Sequence, residues 1–265
     1  GNKVLGRLKD TGVVTIEDPR APLIVLEALS DLGKATTDNH LGDIAAQIVF
    51  ILGDIGERAA RMKMEAIATK AAGILGSIGN RSIKGNDSLK EVANSAANIL
   101  GDVIGRSATE NGLHDTALQI ADILGQTSVE AIGNGANETA RHYSYGLRTL
   151  LSNAGGAEAA ARGIMDPGAT GDFPIIEGVI GPRAGMDGVA IEAVYALHSV
   201  AYRALAKCQD RHENEAEAEE DYEYGDEDLE KIILAAALSF GAVGVEAANR
   251  RLGHATFVMQ MFLRD

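Results

Sequence analysis

Aromatic side chains are scarce in this chain, and tryptophan is absent. Phe and Tyr make up 4% of the 265 residues, although hydrophobic residues as a whole reach 46%. Glycine, which is not counted among the hydrophobic residues, occurs 31 times. A β-sandwich would draw on aromatic and β-branched residues for its core, so this composition disfavours that fold class. Small and aliphatic side chains instead favour closely packed helices, and they are numerous enough for a sizeable core.

Cysteine and long apolar runs are nearly missing as well. Cys208 is the only cysteine, so no intrachain disulfide can form, and we expect a buried or idle thiol. The longest uncharged apolar stretch, 232–245, has fourteen residues. A membrane-spanning helix needs roughly 20. The sequence therefore predicts that this chain does not insert into a membrane and that the protein is soluble and cytoplasmic.

Basic residues are absent from one strongly acidic segment. Residues 213–230 contain eleven acids and no base, which leaves about −3 of the formal net charge of −14 for the rest of the chain. Such a segment cannot bury apolar surface, and we expect it to be disordered or a solvated excursion. Since no part of the chain carries a strong positive excess, a nucleic-acid partner is not expected.

Catalytic motifs are also missing. The six histidines form no His-Glu-x-x-His pair, and no Walker loop, Gly-x-Ser-x-Gly elbow or Cys-x-x-Cys pair occurs. We therefore expect no catalytic residue, no metal site and no cofactor.

What the chain does contain is a recurring Ile-Leu-Gly phrase. Its four copies begin 23, 25 and 24 residues apart, and a weaker copy begins 23 residues before the first. The five copies are Ala28-Leu29-Ser30, Ile51-Leu52-Gly53, Ile74-Leu75-Gly76, Ile99-Leu100-Gly101 and Ile123-Leu124-Gly125. Repetition at such a period is typical of stacked helical arrays.

Apolar residues around each phrase follow helical spacing. Ile44, Ile48, Ile51 and Ile55 are 4, 3 and 4 residues apart, and a neighbouring stripe keeps the same phase. Two adjacent stripes form one broad apolar face, which indicates a helix packed between neighbours. The same phase resumes at Val189, so the repeat returns after a break.

The repeat length predicts an all-α fold. A unit has room for a helix of about 16 to 18 residues and a short connection, so successive helices should run antiparallel and pair into hairpins of about 47 residues. We expect an antiparallel α-α repeat array, built either as a solenoid or as a compact multi-helix bundle. Its repeats should occupy residues 1–153, and a Gly/Pro-rich connector should follow at 154–188. Residues 189–265 should form C-terminal helices that are interrupted by the acidic segment 213–230.

The first repeats resemble a known family. Asp18-Pro19-Arg20 precedes a helical pattern, and residues 51–56 and 74–79 both read Ile-Leu-Gly-x-Ile-Gly. These motifs resemble the HEAT-like repeats of the phycobilisome-lyase type over roughly residues 18–150. The Asp-Pro-Arg turn occurs once, however, and every helix rather than every second one carries the phrase. The resemblance implies a HEAT-like α-solenoid that offers a surface to a partner, and it implies no catalysis.

Three arginines hold the same place in the repeat. Arg58, Arg81 and Arg106 each lie seven residues after the first residue of a phrase. If the repeats stack in register, their guanidinium groups align on one edge and form a binding site for a carboxylate-bearing partner. The alternative is that these positions near helix C-termini favour a cation because of the helix dipole.

Four further residues are candidates for a ligand-facing surface. His142, Tyr143 and Tyr145 form a polar patch that contains aromatic rings, and His198 follows a repeat leucine. At His198 a packed or capping histidine is the alternative interpretation.

These features together favour a non-catalytic protein-binding or scaffold module, and the small-residue helix faces also allow a homodimer. Because the chain opens at Gly1 rather than Met, a soluble cytoplasmic domain of a larger membrane protein is one alternative. The other alternative is an enzyme or small-ligand binder with a pocket at the 154–188 connector, using His142 or His198.

Overall fold

The computed structural model describes residues 20–156, 186–215 and 227–249, and within these ranges every regular element is helical. This confirms the predicted all-α fold. The elements are α1 Arg20–Asp38, α2 Gly42–Arg61, α3 Glu65–Ser82, α4 Asp87–Asn98, a π-helical segment Ile99–Gly105, α5 Arg106–Glu110, α6 His114–Gly133, α7 Asn137–Asn153, α8 Met186–Glu215 and α9 Glu227–Asn249. No described helix is both long and apolar enough to cross a membrane.

The helices pack in two layers. Layer A contains α1, α3, α6 and α8, and layer B contains α2, the continuous rod formed by α4, the π segment and α5, then α7 and α9. Each helix packs against its sequence neighbours in the other layer and against the next helix of its own layer. Since α8 and α9 follow the same rule, they continue the array of the first half of the chain.

Hydrogen bonds between layer mates show the direction of the helices. Near the starts of α3 and α6, the hydroxyls of Thr69 and Thr116 are 2.7 Å apart. Near the ends of the same helices, Asn80 Nδ2 donates to Glu130 Oε2. The start of α3 therefore lies beside the start of α6, and the end of α3 beside the end of α6, so helices within a layer run parallel. Helices that follow one another in sequence and are joined by short turns run antiparallel.

Four of the turns share one backbone conformation. The middle residue of each has a positive φ: 56° at His40, 57° at Lys63, 74° at Gly112 and 73° at Gly135. The next residue then donates its N–H to a carbonyl five positions back, as Met64 does to Ala59 at 2.8 Å. This is the Schellman arrangement that closes helix C-termini. It reverses the chain within three residues and so produces the antiparallel hairpins.

At the glycine of each phrase, a residue of the next helix in the same layer packs into the space that a side chain would occupy. A Cβ atom at Gly53 would lie 2.8 Å from Cγ2 of Ile99, and one at Gly76 would lie 2.6 Å from Cγ2 of Ile123. The isoleucine of one phrase therefore occupies the space left by the glycine of the phrase in its layer mate. At Gly53 and Gly76 the space is therefore filled by a side chain of the neighbouring helix, not by its backbone.

The π segment adjusts the spacing of this contact. Ile99 faces Gly53 and Ile104 faces Gly56, although the two isoleucines are five residues apart and the two glycines are three. A π turn holds more residues than an α turn, so both isoleucines can face the same side of α2. On the opposite side of the rod, a Cβ atom at Gly101 would lie 2.6 Å from Cα of Gly146 in α7.

The predicted boundaries after residue 153 are only partly within the described residues. Most of the expected connector and the central part of the acidic segment lie outside the described residues. The ends of that segment differ from expectation, because α8 continues to Glu215 and α9 begins at Glu227. Asp228 and Glu230 also lie in the first turn of α9, where the helix dipole favours negative charge, so helix rather than an irregular excursion forms there.

Gly101→Ala should lower the free energy of unfolding by about 1 to 3 kcal/mol, because the new methyl group meets the backbone of Gly146, which cannot rotate away. Gly73→Ala is the matched control. Its Cβ would meet only the flexible end of Gln119 at 3.2 Å, and the gain in helix propensity should raise stability by up to about 1 kcal/mol. Urea unfolding measures both. Equal effects of the two substitutions would contradict the close contact between the π segment and α7.

Lys63→Gly should raise the free energy of unfolding by about 0.5 to 1 kcal/mol, because glycine adopts a positive φ without the steric cost that a side chain imposes. Met62→Gly in the same turn is the control, since Met62 has a φ of −85°. Thermal or urea unfolding should show a loss of stability for this neighbouring variant and a gain for Lys63→Gly.

Candidate functional site

The antiparallel hairpins separate the three repeat arginines. Arg58 lies in the last turn of α2 and Arg106 follows the π segment, both in layer B, whereas Arg81 lies in the last turn of α3 in layer A. The C-terminal ends of the two layers lie at opposite edges of the array. The expectation that all three guanidinium groups align on one edge is therefore wrong.

Each arginine has its own environment. Arg81 Nη1 donates to Asp38 Oδ1 at 3.0 Å and so links the ends of α3 and α1. The side chains of Arg58 and Arg106 are exposed. A role for these two in binding a partner stays a prediction.

The structure divides the four ligand-facing candidates between surface and core. His142 is half-buried, with Nδ1 3.3 Å from Oδ1 of Asn98, and burial together with the nearby Arg141 lowers its pKa. Tyr145 is exposed. His198 lies in α8, with its ring centroid 6.0 Å from that of Phe240. His142 and His198 thus have separate neighbours, in α4 and α9 respectively.

Tyr143 belongs to the core and does not face the surface, which corrects the prediction for this residue. Its side chain is fully buried, its hydroxyl has no hydrogen-bond partner among the described residues, and burial raises its pKa. The ring extends from α7 toward Gly79 of α3, whose missing side chain leaves room for the hydroxyl. Helical spacing places Tyr143 on the opposite side of α7 from Tyr145, and this is the signal in the sequence that separates them.

A groove crosses the outer face of layer A, and sequence reasoning missed it. The groove has a volume of about 550 Å³ and lies along α3, between α1 and α6. We call it the α3 groove. Its lining residues are Ser30 and Lys34 from α1, Ala66, Thr69, Lys70, Gly73, Ile74 and Ser77 from α3, and Gln119 from α6.

The groove exists because α3 departs from the repeat at two outward-facing positions. The residue before the phrase is Gly73 in α3, whereas the other four copies carry larger, exposed side chains: Glu27, Phe50, Asn98 and Asp122. Three residues after the start of the phrase, α3 carries Ser77 where the others carry Asp or Gln: Asp31, Asp54, Asp102 and Gln126. Comparing copies at these two positions is the signal that could have located the groove from the sequence.

The same departures make the groove locally basic. Lys34 and Lys70 line it, its lining contains no acidic residue, and neither lysine forms an ion pair within the described part of the chain. The lining also presents the hydroxyls of Ser30, Thr69 and Ser77. Gln119 adds a buried Oε1 atom that accepts no hydrogen bond from the described residues. An acceptor in this state can be satisfied by a donor that enters the groove.

Polar contacts at both ends of α3 hold the walls of the groove in place. At the start of α3, Glu65 Oε1 accepts from the backbone N–H of Asp115 at 3.2 Å. At its end, Glu130 accepts from Asn80 and pairs with Lys84 at 3.0 Å. The hydrogen bond from Asn80 is the main reason that the pKa of Glu130 is lowered, and Lys84 lowers it further. The α3 groove is therefore a preformed feature of the array.

A smaller groove of about 260 Å³ lies in layer B, near the starts of α7 and α9. Its lining includes Lys90, residues 135–139 and Asp228. Asp228 is paired with Arg141 at 2.7 Å, so its charge serves to join α9 to α7. Among the described residues, no group of three or more His, Cys, Asp or Glu side chains could hold a metal ion.

Comparison with known proteins gives little similarity. No family model matches the sequence, and no match is found among the curated proteins. Among solved structures, a "circular tandem repeat protein with novel repeat topology and enhanced subunit contact surfaces" aligns with 98% of this chain at 12% identity and a TM-score of 0.39. The chain spans 63% of that protein's length. The case for a function therefore rests on the surface of the chain itself.

The contribution of Glu130 to stability should depend on pH. Its pKa is lowered from 4.5 in the folded state, so the contribution is present above that value and is lost as the pH falls through the folded-state pKa. Between pH 6 and pH 3, Glu130→Gln should therefore lose less stability than the parent protein. Urea unfolding midpoints at both pH values measure this difference. Asn80→Ala should behave similarly, and equal losses in all three proteins would contradict the linkage.

Proposed function

We propose that this protein is a non-catalytic binding module and that its α3 groove holds a carboxylate-rich segment of a protein partner. The observation that carries the proposal is the replacement, on α3 alone among the five phrase-bearing helices, of the bulky or acidic outer residues by Gly73 and Ser77. The change opens a groove in an otherwise repetitive surface and leaves two lysines within it.

The lining suits a peptide chain. Gly73, Ala66 and the small hydroxyl residues allow a backbone to approach α3 closely, and the hydroxyls and Gln119 can exchange hydrogen bonds with peptide groups. Lys34 and Lys70 attract carboxylates, which raises the rate of association and discriminates against basic segments. A volume of about 550 Å³ is within the usual range of ligand sites and corresponds to a few residues of a partner.

The same lining supports binding rather than catalysis. It contains hydroxyl groups but no His, Cys, Asp or Glu that could activate them as nucleophiles or exchange protons with a substrate. A helical repeat array also offers an extended surface on which further parts of a partner can lie. A scaffold role, in which the groove holds one segment and the array contacts others, is the finer form of the proposal.

Selection from a displayed library of random twelve-residue peptides tests the proposal. Peptides enriched on the parent protein should be acidic and should lose binding to Gly73→Glu, which introduces the residue that α1 carries at the equivalent position, Glu27, and so fills the groove and adds a negative charge. The double variant Lys34→Gln with Lys70→Gln should weaken binding about fivefold, roughly 1 kcal/mol.

Two control variants separate the groove from general effects. Gly73→Ala keeps the charge and nearly all of the space, so it should retain at least part of the binding that Gly73→Glu removes. Lys90→Gln removes a cation that lies outside the α3 groove and pairs with Asp87, so it should bind like the parent. Enrichment of uncharged peptides, or equal binding to Gly73→Glu and the parent, would refute the proposal.

A further inference from the structure

The two lysines of the α3 groove lie toward its opposite ends. Lys70 lies in the first half of α3, and Lys34 projects from α1, the parallel neighbour of α3 in layer A. A Cβ atom at Gly33 would meet the side chain of Ile78, so these two residues are at the same level of the array. This contact places Lys34 about nine residues further along the array than Lys70, because Lys34 directly follows Gly33.

An ion pair at the ends of the same two helices gives a similar alignment. Arg81 of α3 is paired with Asp38 of α1 at 3.0 Å, and Asp38 lies four residues after Lys34. This pair places Lys34 about seven residues further along than Lys70. A separation of about eight residues between the two lysines corresponds to about 12 Å along the helix axis.

The part of the groove between the two lysines is small and uncharged. Its floor is formed by Gly73 and by Ile74, of which only 5% is exposed. Ser30 of α1 and Ser77 of α3 add hydroxyl groups beside this floor. A side chain that points toward the floor must therefore be small, whereas the peptide groups next to it can exchange hydrogen bonds with the two hydroxyls.

An extended chain spans the distance between the lysines with few residues. It rises about 3.3 Å per residue and its side chains alternate, so residues i, i+2 and i+4 point the same way and residues i and i+4 are about 13 Å apart. Residues i and i+2 are only about 7 Å apart, and residues i and i+6 about 20 Å. A helix about 10 Å wide and 12 Å long would fill about 900 Å³. Since the groove has a volume of about 550 Å³, it suits the extended form.

We infer that the α3 groove selects an extended segment with carboxylate side chains at positions i and i+4 and a small residue at i+2. The inference rests on the proposed function and assigns a spacing to the carboxylates of the partner. One carboxylate pairs with Lys70 and the other with Lys34, and the small residue midway lies over Gly73 and Ile74. Residues i+1 and i+3 point to solvent, because side chains alternate along an extended chain.

NMR titration of the 265-residue chain with two synthetic peptides tests the spacing. Both peptides are capped at their ends and contain the same residues, two Glu in a background of Ser and Ala. One has the two Glu four positions apart around a central Ala, and the other has them adjacent. Their net charges are equal, so the long-range attraction to the protein is equal as well. The first peptide should bind about threefold more tightly, which is the usual effect of one exposed ion pair.

Variants of the protein show whether both lysines produce this preference. Lys34→Gln and Lys70→Gln should each bind the two peptides with equal affinity, since only one carboxylate then finds a lysine. Lys90→Gln is the matched control, because Lys90 lies outside the groove, and it should keep the threefold preference. A preference that persists in Lys34→Gln or in Lys70→Gln would overturn the inference.

Replacement of the central residue of the peptide tests the extended form. Phe in place of the central Ala should weaken binding by at least about fivefold, because the ring does not fit over Gly73 and Ile74. Phe at the next position points to solvent and should leave the affinity unchanged. Equal effects of the two replacements would contradict an extended segment in the groove.

The titration also separates this inference from the proposed function. If the parent protein binds the two acidic peptides equally and Gly73→Glu binds neither, the groove holds carboxylate-rich segments without regard to spacing, and only the inference is wrong. If neither peptide binds the parent and the random library yields no acidic peptide, both the inference and the proposed function are wrong.

Discussion

The contact between the glycine of one phrase and the isoleucine of the phrase two helices along determines how this array is built. The missing side chains at Gly53 and Gly76 leave the space that Ile99 and Ile123 fill. Since the contact joins helices of the same layer, it sets both their separation and their register. At Gly101 the facing residue is Gly146 of α7 instead of an isoleucine, and the backbones of the rod and α7 come closer still there. A larger side chain at any of these glycines would push layer mates apart along their whole length.

The α3 groove follows from the same arrangement. Helices held this closely leave little space between them, and the small residues Gly73 and Ser77 of α3 open a groove on the outer face of layer A. Polar contacts with Asp115 and Glu130 hold α3 against α6 at both ends. The site is thus a local departure from the repeat, built on the rigidity that the repeat provides.

The arginines and Tyr143 show how an accurate repeat can mislead about a site. Arg58, Arg81 and Arg106 are equivalent in sequence, but alternate helices reverse direction, so equivalence along the chain places Arg81 on the opposite edge. Tyr143 and Tyr145 are near neighbours in sequence, but residues two apart on a helix face different ways, so one is buried and the other exposed. Neither closeness in sequence nor equivalence in the repeat shows which residues share a surface unless the direction of each helix is known.

The sequence by itself determined the all-α fold and the antiparallel hairpins, because apolar periodicity and short turns are local properties that each repeat carries alone. The tertiary structure alone decided which helices share a layer, which glycine meets which isoleucine, and that Lys34, Lys70 and Gln119 from three separate helices line one groove. These depend on packing between segments about 47 residues apart, such as Thr69 and Thr116, and a repeat whose copies are nearly alike does not specify which of them come together.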